Sequence, residues 1–429
     1  MRLCVFALSF SGIGCNLVKR PLDFISITIA DFIVRSAYQM GKTPLLPIFA
    51  ATLGAPSAFL GFIVSVSTLT GMVLKPVIGI LSDRWGRRCW LIVGTALFVG
   101  MPFLYRFIHS PEHLFGIRVV HGLATAIYGP VTLAFVVEQT KTKRAEQLGW
   151  FGIARHAGYI VGPAVAGWLL LKMEPVSVFT IIGGISILAF IPILYLKEPV
   201  SSAATRHLRT GRPTLQQQTT HALKFSVSTP AIWLSGGLES TVFVALYAAK
   251  AFLPVYAFEL SMSTALVGMF FSFQEAVHVT LKPFGGRLGD TVGYLKSIFI
   301  GILLMGITLC LLTVAHGTLS FMALEALIGV SQALVFPSTV ALVSTQISEQ
   351  HIGAGMGVIG MQKNSGKVIG PILGGLLVHW LGFIQMFQFM GILVLVGAGL
   401  VWCGTKVVQN YSYDVEAFRK RGKMPRLRS

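Results

Sequence analysis

Apolar residues fill long runs of this chain, and short polar segments separate each run from the next. Each run holds about 20 mostly apolar residues, which is the length an α-helix needs to cross a bilayer. Alternating stretches of about 10 residues, typical of membrane β-strands, do not occur. The pattern predicts an all-α integral membrane protein with twelve transmembrane helices, at 24–47, 57–80, 90–108, 114–137, 148–171, 176–196, 229–256, 264–284, 296–315, 318–344, 353–378 and 382–405.

Composition supports the same prediction. Hydrophobic residues make up 54% of the chain and charged residues only 12%, whereas a soluble domain is about one quarter charged. The expected environment is therefore the lipid bilayer. No nucleotide-binding loop of the G-x-x-x-x-G-K-[ST] type occurs, so we expect that ATP hydrolysis on this chain is not the driving force. We also expect a non-enzymatic protein without a cofactor.

Basic residues lie beside alternate spans, in the segments 84–88, 141–144, 206–212 and 419–428. The positive-inside rule then makes these loops cytoplasmic and places both termini inside, which suits a multi-pass protein of a bacterial inner membrane. The same loops account for the net charge of +18. Because the charges are spread over loops without a folded platform, we expect no nucleic-acid partner.

The chain repeats itself at a nearly constant offset. Asp290 follows Asp83 by 207 positions, and Lys282-Pro283 follows Lys75-Pro76 by the same interval. Later in the repeat the offset is 208, as between Gly158 and Gly366. A fixed offset over many positions indicates an internal duplication. Each copy holds six spans, so the two halves point the same way across the membrane and form a pseudo-symmetric pair.

The duplication also predicts the domain organisation. Two six-helix halves, at 24–196 and 229–405, are joined by a polar cytoplasmic linker at 197–228. A segment at 1–23 precedes them, and a basic cytoplasmic tail follows at 406–429.

Three motifs point to a known family. "GILSDRWGRR" (Gly79–Arg88) resembles the signature that the major facilitator superfamily carries between its second and third helices. "RVVHG" (Arg118–Gly122) resembles its fourth-helix signature, and the glycine pattern at 149–167 resembles its antiporter-associated fifth-helix motif. The resemblance covers essentially the whole chain. It implies the major facilitator fold and secondary transport by alternating access.

The first motif has a readable chemistry. A carboxylate at Asp83 can accept hydrogen bonds from nearby guanidinium groups or cap a helix N-terminus. The resemblance implies a cytoplasmic latch that stabilises the outward-facing state, although a solvated turn that only enforces topology is the alternative. Asp290 lies in the second copy, where the arginine pair is missing, so we expect a weaker latch there. The predicted latch residues are Gly79, Asp83, Arg84, Gly86, Arg87, Arg88 and Asp290.

Small residues in the fifth and eleventh spans permit close helix packing, and a Gly-Pro pair introduces a bend. By themselves these residues are structural, and only the resemblance links them to antiport. The predicted packing residues are Gly149, Gly158, Gly162, Pro163, Gly366, Gly370, Pro371 and Gly374.

Ionisable and polar residues inside spans are expensive in lipid, so we expect them to line a water-filled cavity between the halves. Their alternative role is to hold helices together as ion pairs. The predicted cavity residues are Asp31, Arg35, Tyr38, Gln39, Arg118, His121, Arg155, Glu239, Glu275, Glu325, Lys363 and Asn364.

Arg155 and Lys363 occupy equivalent positions in the two copies, 208 residues apart. Either the carboxylates of other spans neutralise these cations, or the cavity keeps a positive potential for an anion.

A separate pattern, "HSPEH" (His109–His113), fits the H-x-x-E-H arrangement of a zinc peptidase. Pro111 places it in a short outer loop, so we expect no metal site.

These observations predict a monomeric secondary transporter of a small molecule or ion, coupled to protons and favouring antiport or efflux. A narrower resemblance offers an alternative. The run Ala30–Ala50, with the total length, resembles the magnetosome-membrane members of the superfamily, which are thought to move iron during magnetite biomineralisation. A third possibility is a transporter fold kept as a membrane sensor or scaffold.

Overall fold

A computed structural model describes residues 22–139, 144–197, 230–344 and 352–420. The predicted linker and most of the predicted N-terminal segment lie outside these ranges, as do residues 421–429 of the basic tail. Some side chains within the described helices are also left undescribed, among them those of Asp83 and Arg84.

Every regular element in the described ranges is helical, which confirms the predicted fold class. The first half contains α1 (Leu22–Lys42), α2 (Leu45–Thr52), α3 (Ser57–Trp85), α4 (Arg87–Leu104), α5 (Pro111–Gln139), α6 (Arg144–Leu169), α7 (Pro175–Ile187) and α8 (Phe190–Leu194). The second half contains α9 (Pro230–Glu259), α10 (Thr264–Val292), α11 (Tyr294–Leu311), α12 (Thr318–Ser344), α13 (Ile352–Leu381) and α14 (Phe383–Lys420). Single 3₁₀ turns follow α4 and α11.

Two predicted spans are each divided into two helices. The predicted span 24–47 breaks between α1 and α2 at Pro44, because proline lacks an N–H and disfavours helical geometry in the residue before it. The predicted span 176–196 breaks between α7 and α8. Pro192 lies four residues after Leu188 and cannot donate the helical hydrogen bond to its carbonyl group.

Seven of the described helical segments are long and apolar enough to cross a membrane by length and composition: Ser57–Gly79, Arg87–Phe107, Pro111–Glu138, Pro175–Leu194, Ile232–Glu259, Tyr294–Val314 and Thr318–Ser344. Phe383–Gly399 adds a shorter apolar stretch. Charged and polar positions are frequent in the other long helices, α1, α6, α10 and α13. These four helices supply most of the predicted cavity residues.

The two halves repeat one packing scheme. In the first half α1 packs along α6 and α3 along α5, and in the second α9 packs along α13 and α10 along α12. The halves meet where α3 contacts α13 and where α6 contacts α10. Each half is therefore a bundle in itself, and the interface between them involves two crossed pairs of helices.

The interface is tightest at the ends of the helices farthest from the basic loops, which we call the short-loop side. Here the Ser65 hydroxyl donates to the Val368 carbonyl at 2.7 Å, and the Thr264 hydroxyl donates to the Gly167 carbonyl at 3.1 Å. Toward the opposite, basic-loop side, an ideal Cβ on Gly149 or Gly357 would have no neighbour within 4 Å. The described contacts thus close the halves on the short-loop side.

Candidate transport cavity

One buried ion pair joins three helices of the first half. The Arg155 guanidinium of α6 donates to both carboxylate oxygens of Asp31 in α1, at 3.0 and 3.2 Å. It also donates to the Thr132 hydroxyl of α5 at 3.2 Å. Arg35 lies 3.5 Å from the same carboxylate. Asp31 is only 1% exposed, so these cations provide the compensation that a buried carboxylate requires.

The second half contains a matching group. Lys363 of α13 lies 3.3 Å from the carboxylate of Glu239 in α9. The Thr339 hydroxyl of α12 donates to the same carboxylate at 3.4 Å. The sequence left two alternatives open for Arg155 and Lys363. The structure shows that carboxylates of other spans neutralise both cations.

The two groups are copies of one another. Glu239 follows Asp31 by 208 positions, as Lys363 follows Arg155, and Thr339 follows Thr132 by 207. Sequence analysis identified the cation pair but missed the equivalence of the carboxylates and of the two threonines. An offset of 208 leads from Asp31 to Glu239, and an offset of 207 leads from Thr132 to Thr339. The duplication thus preserved a carboxylate, a cation and a threonine at the same place in each bundle.

A different cluster crosses the interface between the halves. The Glu275 carboxylate of α10 lies 3.1 Å from Nδ1 of His156 in α6, and 3.4 Å from Nδ1 of His278 on its own helix. The two imidazole rings are 6.0 Å apart and nearly perpendicular. Glu275 is buried, while His156 is about one third exposed toward the cavity. One carboxylate thereby links titratable rings from both halves.

Arg118 lies inside the first half and is 1% exposed. It donates a hydrogen bond to the Ser67 hydroxyl and shares a small pocket with Tyr38 and His121. Neither ring nitrogen of His121 has a hydrogen-bond partner among the described residues. Glu325, the duplicate position of Arg118, is equally buried, and its Oε2 likewise has no described partner. These two predicted cavity residues lie within their own halves, in different surroundings.

Gln39 lines a second pocket, with Lys42 of α1 and both Tyr247 and Lys250 of α9. This pocket therefore receives side chains from both halves. Asn364, the duplicate position of His156, is half-buried in α13 beside Lys363.

The predicted latch region is only partly described. Arg87 forms a bidentate ion pair with Glu138 at the end of α5, at 2.5 and 2.7 Å, and Arg88 donates to the Leu194 carbonyl at 2.8 Å. Sequence analysis missed Glu138 as a partner. Asp290 accepts a hydrogen bond from the Tyr294 hydroxyl at 3.0 Å. An ideal Cβ on Gly79 would meet no neighbour.

Backbone conformation repeats in the same two loops. Gly86 and Gly293 separate successive helices with φ of 91° and 98°, a region that favours glycine. The two loops therefore keep one backbone turn, although the side chains around it differ.

Most of the predicted packing glycines lie against a neighbouring backbone. A Cβ on Gly158 would lie 3.0 Å from the Ser36 nitrogen, and one on Gly162 would lie 2.9 Å from the Ser36 carbonyl oxygen. Gly366 faces the Ser240 carbonyl, Gly370 faces the Val244 carbonyl, and Gly374 faces Ala248 and Phe252. Pro163 and Pro371 present carbonyl groups to Gly268 and Gly61 across the interface between the halves. Gly149 differs, since it faces open space.

Comparison with known proteins agrees with this architecture. The sequence profile described as Major Facilitator Superfamily matches residues 28–277 and 239–417. The chain is 24% identical to an uncharacterized MFS-type transporter of Methanocaldococcus jannaschii, over 82% of this chain and 90% of the relative. It is also 24% identical to multidrug resistance protein 1 of Bacillus subtilis, over 78% and 84% of the two chains.

Quinolone resistance protein NorA of Staphylococcus aureus is 25% identical, over 78% of this chain and 84% of the relative. Among solved structures, the nucleoside transporter NupG in its D323A form superposes with a TM-score of 0.78 at 14% identity. That match covers 89% of this chain and 99% of the other, and it concerns the fold alone. This chain belongs to the Major Facilitator Superfamily, and it is a multi-pass membrane transporter of small molecules rather than an enzyme.

Proposed function

We propose that the protein is a proton-coupled secondary transporter that exports a small organic solute across a bacterial inner membrane, with both termini in the cytoplasm. The observation that carries the coupling proposal is the cluster of Glu275, His156 and His278 at the interface between the halves. It combines three titratable side chains, and two of them belong to opposite halves.

The cluster can couple protonation to movement for an electrostatic reason. An ionised Glu275 attracts a protonated His156 across the interface, and this attraction is strong because little water separates the two groups. Protonation of the carboxyl group removes the attraction. A proton taken up at Glu275 therefore weakens one of the contacts that hold the halves together. The binding of a proton and the opening of the interface become linked equilibria.

Efflux is supported by two independent observations. The glycine motifs resemble those of antiporters, and α6 and α13 use them to pack closely on α1 and α9. Two similar proteins, multidrug resistance protein 1 and quinolone resistance protein NorA, are named for multidrug and quinolone resistance. Export in exchange for an entering proton is the direction that fits both.

Transport-driven proton movement in inside-out vesicles tests the proposal. Respiration acidifies the vesicle interior, and adding a transported solute should release part of the proton gradient, which acridine orange fluorescence reports. Glu275→Gln should reduce this release about tenfold or more, since an amide cannot take up the proton. Glu174→Gln is a matched control, because Glu174 is exposed in the short loop before α7.

Equal proton release by Glu275→Gln and the unsubstituted protein would show that the cluster does not couple transport. His156→Asn provides a second variant, since it copies the asparagine of the duplicate position. Iron transport into magnetosome vesicles remains a prediction from the run Ala30–Ala50. The role of a membrane sensor or scaffold remains a separate prediction. Ferric citrate and ferrous ion, added as solutes in the same assay, test the iron prediction directly.

A further inference from the structure

Lysines from both halves meet at the pocket that Gln39 lines. Lys42 of α1 and Lys250 of α9 are 208 positions apart in the duplicated sequence, and both contribute to this pocket. Their ammonium groups lie 5.0 and 5.9 Å from the centre of the same Tyr247 ring. The duplication has thus placed equivalent cations from the two halves near one aromatic ring.

A third lysine approaches the same ring. The Lys367 ammonium lies 5.3 Å from the Tyr247 ring and 4.8 Å from the Phe243 ring. It is within electrostatic range of Lys42 and of Lys75, a half-buried lysine of α3. Four cations from four helices therefore surround one region between the halves. In the first half, Tyr159 occupies the position equivalent to Lys367, so only the second copy carries this cation.

Three of the nearby carboxylates are already engaged, and a fourth, Glu325, is within electrostatic range of Lys250 without forming a described ion pair with it. Asp31 binds Arg155, Glu239 binds Lys363, and Glu275 binds two histidines. Within the described part of the chain, no carboxylate oxygen lies within 4 Å of the ammonium groups of Lys42, Lys75, Lys250 or Lys367. Half-buried ammonium groups that share one region repel one another and have lost part of their hydration. An anionic ligand would relieve both costs.

We propose that the transported solute is an organic anion, with a carboxylate or phosphate group held between the halves by Lys42, Lys250 and Lys367. The proposal rests on the transport function proposed above and names its substrate class. Tyr247 offers an aromatic face to the apolar part of the solute. Because Lys42 belongs to one half and the other two lysines to the other, a bound anion contacts both halves at once.

Ligand-induced thermal stabilisation of the purified full-length protein in detergent tests this assignment. Citrate, benzoate and inorganic phosphate serve as anionic probes, and tetraphenylphosphonium serves as the cationic probe. At least one anion should stabilise the protein, and Lys42→Gln or Lys367→Gln should raise its half-saturating concentration about tenfold. Both variants should fold, since neither lysine gives up a described ion pair. Lys172→Gln removes an exposed cation outside the cavity, beside Trp168, and should change nothing.

The proposal is overturned if none of the three anions stabilises the protein in a manner that depends on these lysines. It is also overturned if tetraphenylphosphonium stabilises the protein and the lysine variants strengthen this effect. Stabilisation by phosphatidylglycerol alone would overturn it as well, because the lysines would then bind lipid head groups. Failure of the coupling proposal is distinguishable, because Glu275→Gln should still bind the anion. Loss of lysine-dependent binding with intact proton release would refute the anion proposal alone.

Discussion

The two halves of the molecule share one ion-pair design and differ in the residues around it. Asp31, Arg155 and Thr132 in the first half are matched by Glu239, Lys363 and Thr339 in the second. Each trio ties together three helices of its own bundle. Because both copies retain it, we propose a structural role for the trio, in which it keeps each bundle together during the rocking motion expected of such transporters.

Other duplicate positions have diverged. Arg118 corresponds to Glu325, His156 to Asn364 and Tyr159 to Lys367. Of these positions, His156 supplies the titratable bridge and Lys367 supplies the extra cation of the cavity. We therefore propose that the shared trios support the bundles, and that the proton and the solute depend on diverged residues acting with the shared pair Lys42 and Lys250.

Removing the shared cations should produce the largest effect on stability. Arg155→Gln leaves Asp31 buried without its bidentate partner, and we expect a loss of about 3 kcal/mol in the free energy of unfolding. Lys363→Gln should cost less, about 1 kcal/mol, because Lys363 is 36% exposed and Lys367 remains within electrostatic range of Glu239. Thermal unfolding in detergent, measured beside transport, reports both losses.

The matched control is a double substitution. Asp31→Asn together with Arg155→Gln removes both charges and should recover part of the stability that Arg155→Gln loses, because Arg35 then lacks its carboxylate partner. A normal melting temperature for Arg155→Gln combined with lost transport would contradict the structural role. It would instead assign this cation to the solute.

Much of this architecture follows from the sequence. Apolar runs of bilayer length predict the helices, and the constant offset predicts the two halves, because both depend on local composition and on identity at a fixed spacing. The breaks at Pro44 and before Pro192 were missed, since a proline within a span can bend a helix as readily as divide it.

The partners of the charged residues were less predictable. Arg155 binds Asp31 at a separation of 124 residues, and Arg87 binds Glu138 at a separation of 51. Such pairings depend on how helices cross, which spacing along one helix does not determine. The bridge from His156 to Glu275 depends further on how the two halves dock.

The packing glycines allow a second comparison of the halves. A Cβ on Gly370 would collide with the Val244 carbonyl of α9, whereas one on Gly162 would lie 2.8 to 3.0 Å from Gln39, Ser36 and Met40. Both substitutions by alanine should destabilise the protein, by about 1–3 kcal/mol, with Gly370→Ala the more severe. Gly149 and Gly357 face open space, so Gly149→Ala and Gly357→Ala serve as controls. An equal loss of melting temperature in the controls would contradict the packing interpretation.

Substitutions in the two latch loops should give the smallest effects. Asp83→Asn keeps the shape of the side chain and removes its charge beside the arginines of its loop, so we expect a shift toward forms open on the basic-loop side.

Asp290→Asn should shift the population less. Its described contact is one exposed hydrogen bond from the Tyr294 hydroxyl, which an asparagine can still accept. Cysteine accessibility at paired cavity positions, on a background without the native cysteines, measures the populations. Because Gly86 and Gly293 give both loops the same backbone turn, a difference between the variants reports the side chains around the turn rather than its backbone. Equal shifts from the two variants would show that the arginine pair contributes nothing and that the two loops act as copies.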